Sequence, residues 1–317
     1  MNVEYQCIFW IFLSCLVGII GSFFLRLLLP LSTPSPSPQK SKHCCMRPRS
    51  LLVAISTLMG LRQRLLNGGT SYGPLLLSDS PFVAELLSHV GYGHLVVDHE
   101  HSPTDLRSGQ SMLQAIAGRT ETVVRLPGHD VVYMKKLLDS MSLPGGVLVP
   151  MVEDADTAAS IVQSTRYPGD GGVRGCATPF VRGSSWGFNT DYLRHCREDL
   201  LVMVQVESPK GVEAIPEIAA VDGIDGIFIG PLDLSASIGK MGNFQDPEVQ
   251  ELLATAEARI RKSSCFLAGF RSPGRELSDM FEEGYQFVCG SIDLGLLKEA
   301  AIRDSRQGAK AQEKRKG

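Results

Sequence analysis

Eight short apolar runs recur between Tyr72 and Cys289, and helical patterns fill most of the gaps between them. The runs are Tyr72–Leu77, His94–Asp98, Thr122–Arg125, Gly146–Val149, Leu201–Val206, Gly226–Ile229, Cys265–Ala268 and Phe287–Cys289. Helical periodicity is clearest in Pro81–Val90, Leu106–Ala117, Val131–Asp139, Asp154–Thr165 and Pro247–Lys262, with a shorter helix expected over Val212–Val221. Strand, helix, strand is the unit of a parallel sheet. Eight such repeats in about 250 residues point to the α/β class and a (β/α)8 TIM barrel. A doubly wound open sheet is the alternative. No GxGxxG follows the first run, which argues against a dinucleotide-binding fold.

The flanks differ in kind. Cys7–Leu25 carries no charged residue, and a membrane-crossing helix needs ~20 apolar residues. Residues 1–29 are therefore a candidate transmembrane anchor. Arg26, Lys40, Lys42, Arg47 and Arg49 follow the apolar run, against Glu4 before it. By the positive-inside rule this places the body of the protein in the cytosol. A cleaved signal peptide fits less well, for want of a basic leader and a small-x-small cleavage site. If the segment is a gene-model error instead, the expectation is a soluble cytoplasmic protein. Residues 30–49, with PLSTPSPSP, read as a Pro-rich linker. Residues 50–302 form the expected barrel domain. Residues 303–317 have no large apolar side chain and are expected to be a disordered tail.

The 31 Lys and Arg and 34 Asp and Glu are spread along the chain, for a net charge of −3. No basic surface marks a nucleic-acid partner. The eight cysteines include no CxxC pair and no Cys/His cluster of zinc spacing, as expected in a reducing compartment.

Ligands of parallel α/β folds bind outside the C-terminal strand ends, and polar residues gather there. The second run leads into Asp98, His99, Glu100 and His101. The third ends in Arg125, the fifth in Gln205 and Glu207, and the sixth leads to Asp233. Each has an ordinary alternative: Glu207 and Asp233 as helix caps, Arg125 as a surface cation, His101 as a loop histidine. On one barrel mouth they make a constellation of cation, base and paired carboxylates. Oxygen ligands with no Cys or His between them suit a hard divalent cation such as Mg2+ or Mn2+. A 2-oxo acid chelated there would have its carbonyl polarised by the metal, and Arg125 would stand where enolate charge develops. No lysine closes an expected strand, which argues against a Schiff-base aldolase.

The motifs VVDHEHSPTD, VVRLPGHD, VLVPMVEDADTA, TRYPGDGGVRG, VQVESPKGVEAI and DGIFIGPLDLSASIG stand in that order between about Gly73 and Ala301. Together they resemble the HpcH/HpaI aldolase family, the metal-dependent class II pyruvate aldolases. The resemblance implies a (β/α)8 barrel, assembled as a homo-hexamer or homo-trimer with the last helix exchanged between neighbours. It implies a divalent metal (Mg2+, Mn2+ or Co2+) on Glu207 and Asp233, and Arg125 as the substrate arginine. His101 is then the catalytic histidine and Asp139 the acid paired with it. Gln205 matches a pocket glutamine, Asp98 an acid beside the histidine, and RYPGDGGVRG a glycine-rich lid containing Arg174 and Gly175. The implied reaction cleaves a 4-hydroxy-2-oxo acid to pyruvate, or a related 2-oxo acid, and an aldehyde. Two positions depart from the pattern: Leu232 and His99 stand where small residues are common, so Leu232 is expected to border the substrate. One rival is an acyl-CoA carbon–carbon lyase of a related branch, which needs a nucleotide groove that no basic cluster marks. The other is a membrane-tethered, non-catalytic binding protein, against which the intact set of polar residues argues.

Overall fold

The computed structural model describes residues 60–141 and 145–316. The expected anchor and linker, residues 1–49, lie outside the described residues. Among the described residues, no helix is long and apolar enough to cross a membrane.

The apolar runs become β1 (Ser71–Leu76), β2 (His94–Asp98), β3 (Glu121–Arg125), β4 (Gly146–Val149), β5 (Leu201–Val206), β6 (Gly226–Ile229), β7 (Phe266–Phe270) and β8 (Tyr285–Ile292). Each pairs with the next, and β1 pairs in parallel with β8, so the sheet closes as a barrel. Closure excludes the open-sheet alternative. Period-two alternation along the strands builds two apolar layers. Leu75, Val96, Val123, Leu148, Met203, Phe228, Ala268 and Phe287 fill the barrel interior. Leu76, Leu95, Val97, Val124, Val147, Val204, Ile227 and Leu267 face the helices. Leu61 and Leu65 of α1 (Leu61–Leu66) join the interior group, each 1% exposed.

The helices that follow are α2 (Pro81–Ser88), α3 (Leu106–Ile116), α4 (Val131–Ser140), α5 (Ala155–Thr165), α6 (Tyr192–Asp199), α7 (Pro209–Glu213), α8 (Ile215–Ala219), α9 (Pro231–Ser237), α10 (Pro247–Arg261), α11 (Leu277–Glu282) and α12 (Asp293–Lys316). Their starts are written in the sequence. The side chains of Ser80, Asp105, Asp130, Asp154, Ser208 and Asp246 each accept a backbone N–H from the first turn.

Two expectations need correction. The helix expected over Val212–Val221 is two short helices that meet at Ala214. Pro216 has no N–H to continue the ladder and instead sits in the first turn of the second helix. Residues 303–316, expected to be disordered, continue α12 as an exposed helix. Their Ala, Gln, Glu, Lys and Arg residues are strong helix formers even without an apolar stripe.

Candidate active site

The β2–β3 register places Asp98 directly beside Arg125 at the C-terminal strand ends. Arg125 donates to both Asp98 carboxylate oxygens, Nε to Oδ1 at 2.8 Å and Nη2 to Oδ2 at 2.7 Å. Both residues are buried. Burial works against the Arg125 charge, but Asp98 and Glu100 more than offset it and raise its pKa. The third nitrogen, Nη1, lies 3.1 Å from Glu100 Oε2. The chain turns here because Asp98 Oδ1 accepts the Glu100 N–H at 3.0 Å and the Ser102 hydroxyl donates to the Asp98 carbonyl. Burial pushes the Glu100 carboxyl up to about 7 despite Arg125, and Asp98 and Asp233 add negative charge.

Gln205 of β5 and Glu207, which directly follows the strand, form a second cluster. Glu207 Oε1 accepts the Met151 N–H at 2.8 Å, and Oε2 accepts from Gln205 Nε2. Met151 holds a left-handed backbone, with φ 56°, a conformation that costs energy in a non-glycine residue and gathers at functional sites. Here it accompanies the N–H directed at Glu207. Burial pushes Glu207 up to about 7. Gln205 opposes that shift, Asp233 and Glu100 reinforce it, and the Met151 N–H opposes it again. A Cβ on Gly230 would lie 2.7 Å from Glu207 Oε2 and 3.0 Å from Gln205 Nε2. Glycine therefore lets β6 pass close enough to deliver Asp233, which lies exposed in the first turn of α9.

The remaining expected residues lie further out. His101 is exposed, its Nε2 3.6 Å from Glu100 Oε2. Asp139, on α4, accepts from Arg174 Nη2 at 2.7 Å, so its partner within the chain is not His101. Arg174 is buried, its guanidinium carbon 4.6 Å from the Tyr167 ring centre and 5.8 Å from that of Tyr192. It pins the loop that continues through Gly175. Leu232 is 51% exposed beside Asp233. His99 turns away from the mouth, with Nδ1 2.7 Å from the Tyr133 hydroxyl, and burial lowers its pKa. Glu100, Met151 and Gly230 complete the site without having been assigned to it from sequence. Glu100 had a visible signal as the second acid of DHEH; the Met151 contact is backbone and had none.

Among the described residues, no three His, Cys, Asp or Glu side chains form a group that could enclose an ion. Glu207 and Asp233 nonetheless fit a shared divalent cation. The Asp233 charge adds to the cost of charging Glu207, and Gln205 Oε1, buried beside Glu207, has no hydrogen-bond partner. An oxygen-only set of this kind leaves coordination positions to water and substrate.

The profile of the HpcH/HpaI aldolase/citrate lyase family matches residues 72–300. The chain belongs to this family. It is 40% identical over 238 residues to a hydroxypyruvate/pyruvate aldolase of Pseudomonas aeruginosa, covering 74% of this chain and 87% of that protein. It is 38% identical over 247 residues to a 4-hydroxy-2-oxo-heptane-1,7-dioate aldolase of Escherichia coli, covering 77% and 93%. The crystal structure of a HpcH/HpaI aldolase/citrate lyase family protein from Burkholderia cenocepacia J2315 aligns with a TM-score of 0.74 at 34% identity, covering 78% of this chain and 98% of that one. This HpcH/HpaI family member is accordingly a lyase of the aldolase type.

Proposed function

We propose that the enzyme is a divalent-metal-dependent aldolase that cleaves a 4-hydroxy-2-oxo acid to pyruvate, or a related 2-oxo acid, and an aldehyde. The observation that carries this reading is the fixed cation Arg125 on the same barrel mouth as the Gln205–Glu207 pair and Asp233. Mg2+, Mn2+ or Co2+ held by Glu207 and Asp233 would supply Lewis-acid polarisation of the 2-oxo acid. Asp98 immobilises two nitrogens of Arg125, so the guanidinium needs no reorganisation when enolate charge develops beside it. Gln205 orients Glu207 through its amide N–H and offers its unpartnered oxygen to the site. His101 takes the proton of the 4-hydroxyl through a water; Asp139 is held by Arg174 within its own chain, so it would orient His101 from a neighbouring copy in the assembly. Gly175 of the lid and Leu232 border the substrate.

The test is an aldol-cleavage screen over 4-hydroxy-2-oxo acids, with each metal added back after chelation. Cleavage of at least one substrate with metal, and none without, is expected. No cleavage under any metal rejects the reading. An Asp139→Asn loss matching that of His101→Ala supports their pairing, and an unaffected Asp139→Asn rejects it. Cys7–Leu25, in this reading, tethers a cytosolic catalytic domain, which assembles as a homo-hexamer or homo-trimer. Fractionating the full chain against one starting at Ser50 tests the tether, and equal solubility removes it. Sedimentation tests the assembly.

A further inference from the structure

The inward-facing positions nearest the mouth divide the ring into two arcs. On one, β2, β3 and β5 present Asp98, Arg125, Gln205 and Glu207. On the other, β7, β8 and β1 are consecutive in barrel order. They present Phe270, the last residue of β7, Ile292, the last residue of β8, and Leu77, which follows β1. All three are half-buried and pack on the interior group that includes Leu75, Ala268 and Phe287. The register supports this placement, since Ile292 pairs with inward-facing Leu75 and Phe270 with inward-facing Cys289. Asp293 fixes the seam by accepting the Leu77 and Ser78 N–H groups at 2.9 and 3.1 Å.

The charges on this arc are equally one-sided. Among the described residues that end or directly follow these three strands, the cation is Arg271. Its side chain is taken up in its own loop: Nε donates to the Arg275 carbonyl at 2.7 Å, and Nη2 lies 3.6 Å from Glu276 Oε2. Arg125, on the opposite arc, holds Asp98 and Glu100 and, in the proposed reaction, serves the 2-oxo acid half of the substrate. A carboxylate brought to the Phe270 wall would lose water without gaining a hydrogen bond. A hydrocarbon chain brought there would shed water favourably.

We infer that the aldehyde half of the substrate lies against Phe270, Ile292 and Leu77, and that the enzyme selects aldehydes with an uncharged, apolar chain over those ending in a carboxylate. The inference rests on the aldolase reading and names the substrate class of the same mouth. A single methylene in an apolar pocket changes discrimination roughly 10–200-fold, so the preference is large enough to measure.

The full-length enzyme with pyruvate and Mg2+ is assayed for aldol addition to butanal and to succinic semialdehyde, which have the same carbon count. The kcat/KM ratio is expected to favour butanal by at least about 10-fold, and to fall toward unity in Phe270→Ser. Ile292→Thr is the second variant should Phe270→Ser not fold, and a fall in the same ratio is expected. Equal or better use of succinic semialdehyde by the wild type overturns the inference, as does an unchanged ratio in both folded variants. Exchange of the pyruvate methyl protons, which needs no aldehyde, is measured in the same samples. Its absence in the wild type overturns the aldolase reading and this inference with it, whereas its presence with the wrong aldehyde preference overturns the inference alone.

Discussion

Arg125 and Asp98 form a two-point ion pair across the β2–β3 register, with both guanidinium contacts shorter than 3 Å at 2.8 and 2.7 Å. The pairing settles a buried charge and also sets the plane of the guanidinium. The second effect is the one that the proposed reaction would use, because a planar fork fits carboxylate and enolate oxygens where an ammonium does not.

Arg125→Lys is expected to fold and to lose about 10²–10³ in kcat, the cost of one transition-state donor. Steady-state kinetics and a thermal melt on the same sample check this. A folded lysine variant with normal turnover would show that Arg125 only packs.

Metal removal is expected to abolish cleavage, and Mg2+, Mn2+ or Co2+ to restore it. Asp233 is exposed, so Asp233→Asn leaves the core untouched and shifts stability by no more than ~0.5 kcal/mol. What it does change is the metal concentration at half-maximal activity, which should rise. An unchanged half-saturation point would remove Asp233 from the metal shell.

His101→Ala is expected to slow carbon–carbon cleavage far more than exchange of the methyl protons of pyruvate. The histidine sits outside the buried charge cluster, 3.6 Å from Glu100, and its assigned task is the 4-hydroxyl. Parallel losses in both reactions would mean that it acts on the enolate or holds the site together.

His94 is one traceable contributor to the acid limb of stability. It is fully buried at the start of β2, 2.8 Å from the Ser71 hydroxyl and stacked on Phe287 with ring centres 3.7 Å apart. Burial, with Arg64 adding to it, pushes its pKa from 6.5 down to about 3. Between those values the unfolded chain carries a proton that the folded chain refuses. The His94 contribution to stability therefore falls as pH drops below about 6.5, by up to ~1.4 kcal/mol per pH unit, until about 3, while Glu100 and Glu207, both raised to about 7, contribute in the opposite sense. Above 6.5 the group adds no slope. His94→Gln should lower Tm at neutral pH yet flatten the Tm decline between pH 6.5 and 4.5. An equal slope in both proteins assigns the acid limb to other groups.

Leu232→Ala should relax the choice between short and polyhydroxylated aldehydes. The leucine directly precedes Asp233 and is half-exposed, and sugar hydroxyls would lose water against it without gaining partners. The kcat/KM ratio for one substrate of each kind, in wild type and variant, decides the matter. An unchanged ratio places Leu232 outside the pocket.

The strands were legible because each is a short apolar run bounded by polar residues, and Asp98, Arg125, Gln205 and Glu207 were legible because they end those runs. The Gln205–Glu207 spacing of two puts both on one strand face, which period-two alternation requires. Other features left no pattern to read. The Met151 N–H on Glu207 is a main-chain contact, and the partner of Asp139 is Arg174 on a distant loop. Tertiary distance decided both. The extension of the last helix over residues 303–316 was missed because low apolar content reads as disorder, although the local propensity of its residues favours helix.

The Asp293 seam also carries a clock. It joins the first strand to the last across 216 residues of sequence. At ~5–20 residues per second of synthesis, roughly 10–40 s separate the emergence of its two sides. Throughout that interval the edge of β1 that pairs with β8 in the barrel has no partner, and a bare edge is a template for wrong pairing. The newborn chain is thus most vulnerable at its oldest strand, and help from a chaperone counts most before residue 293 has been made.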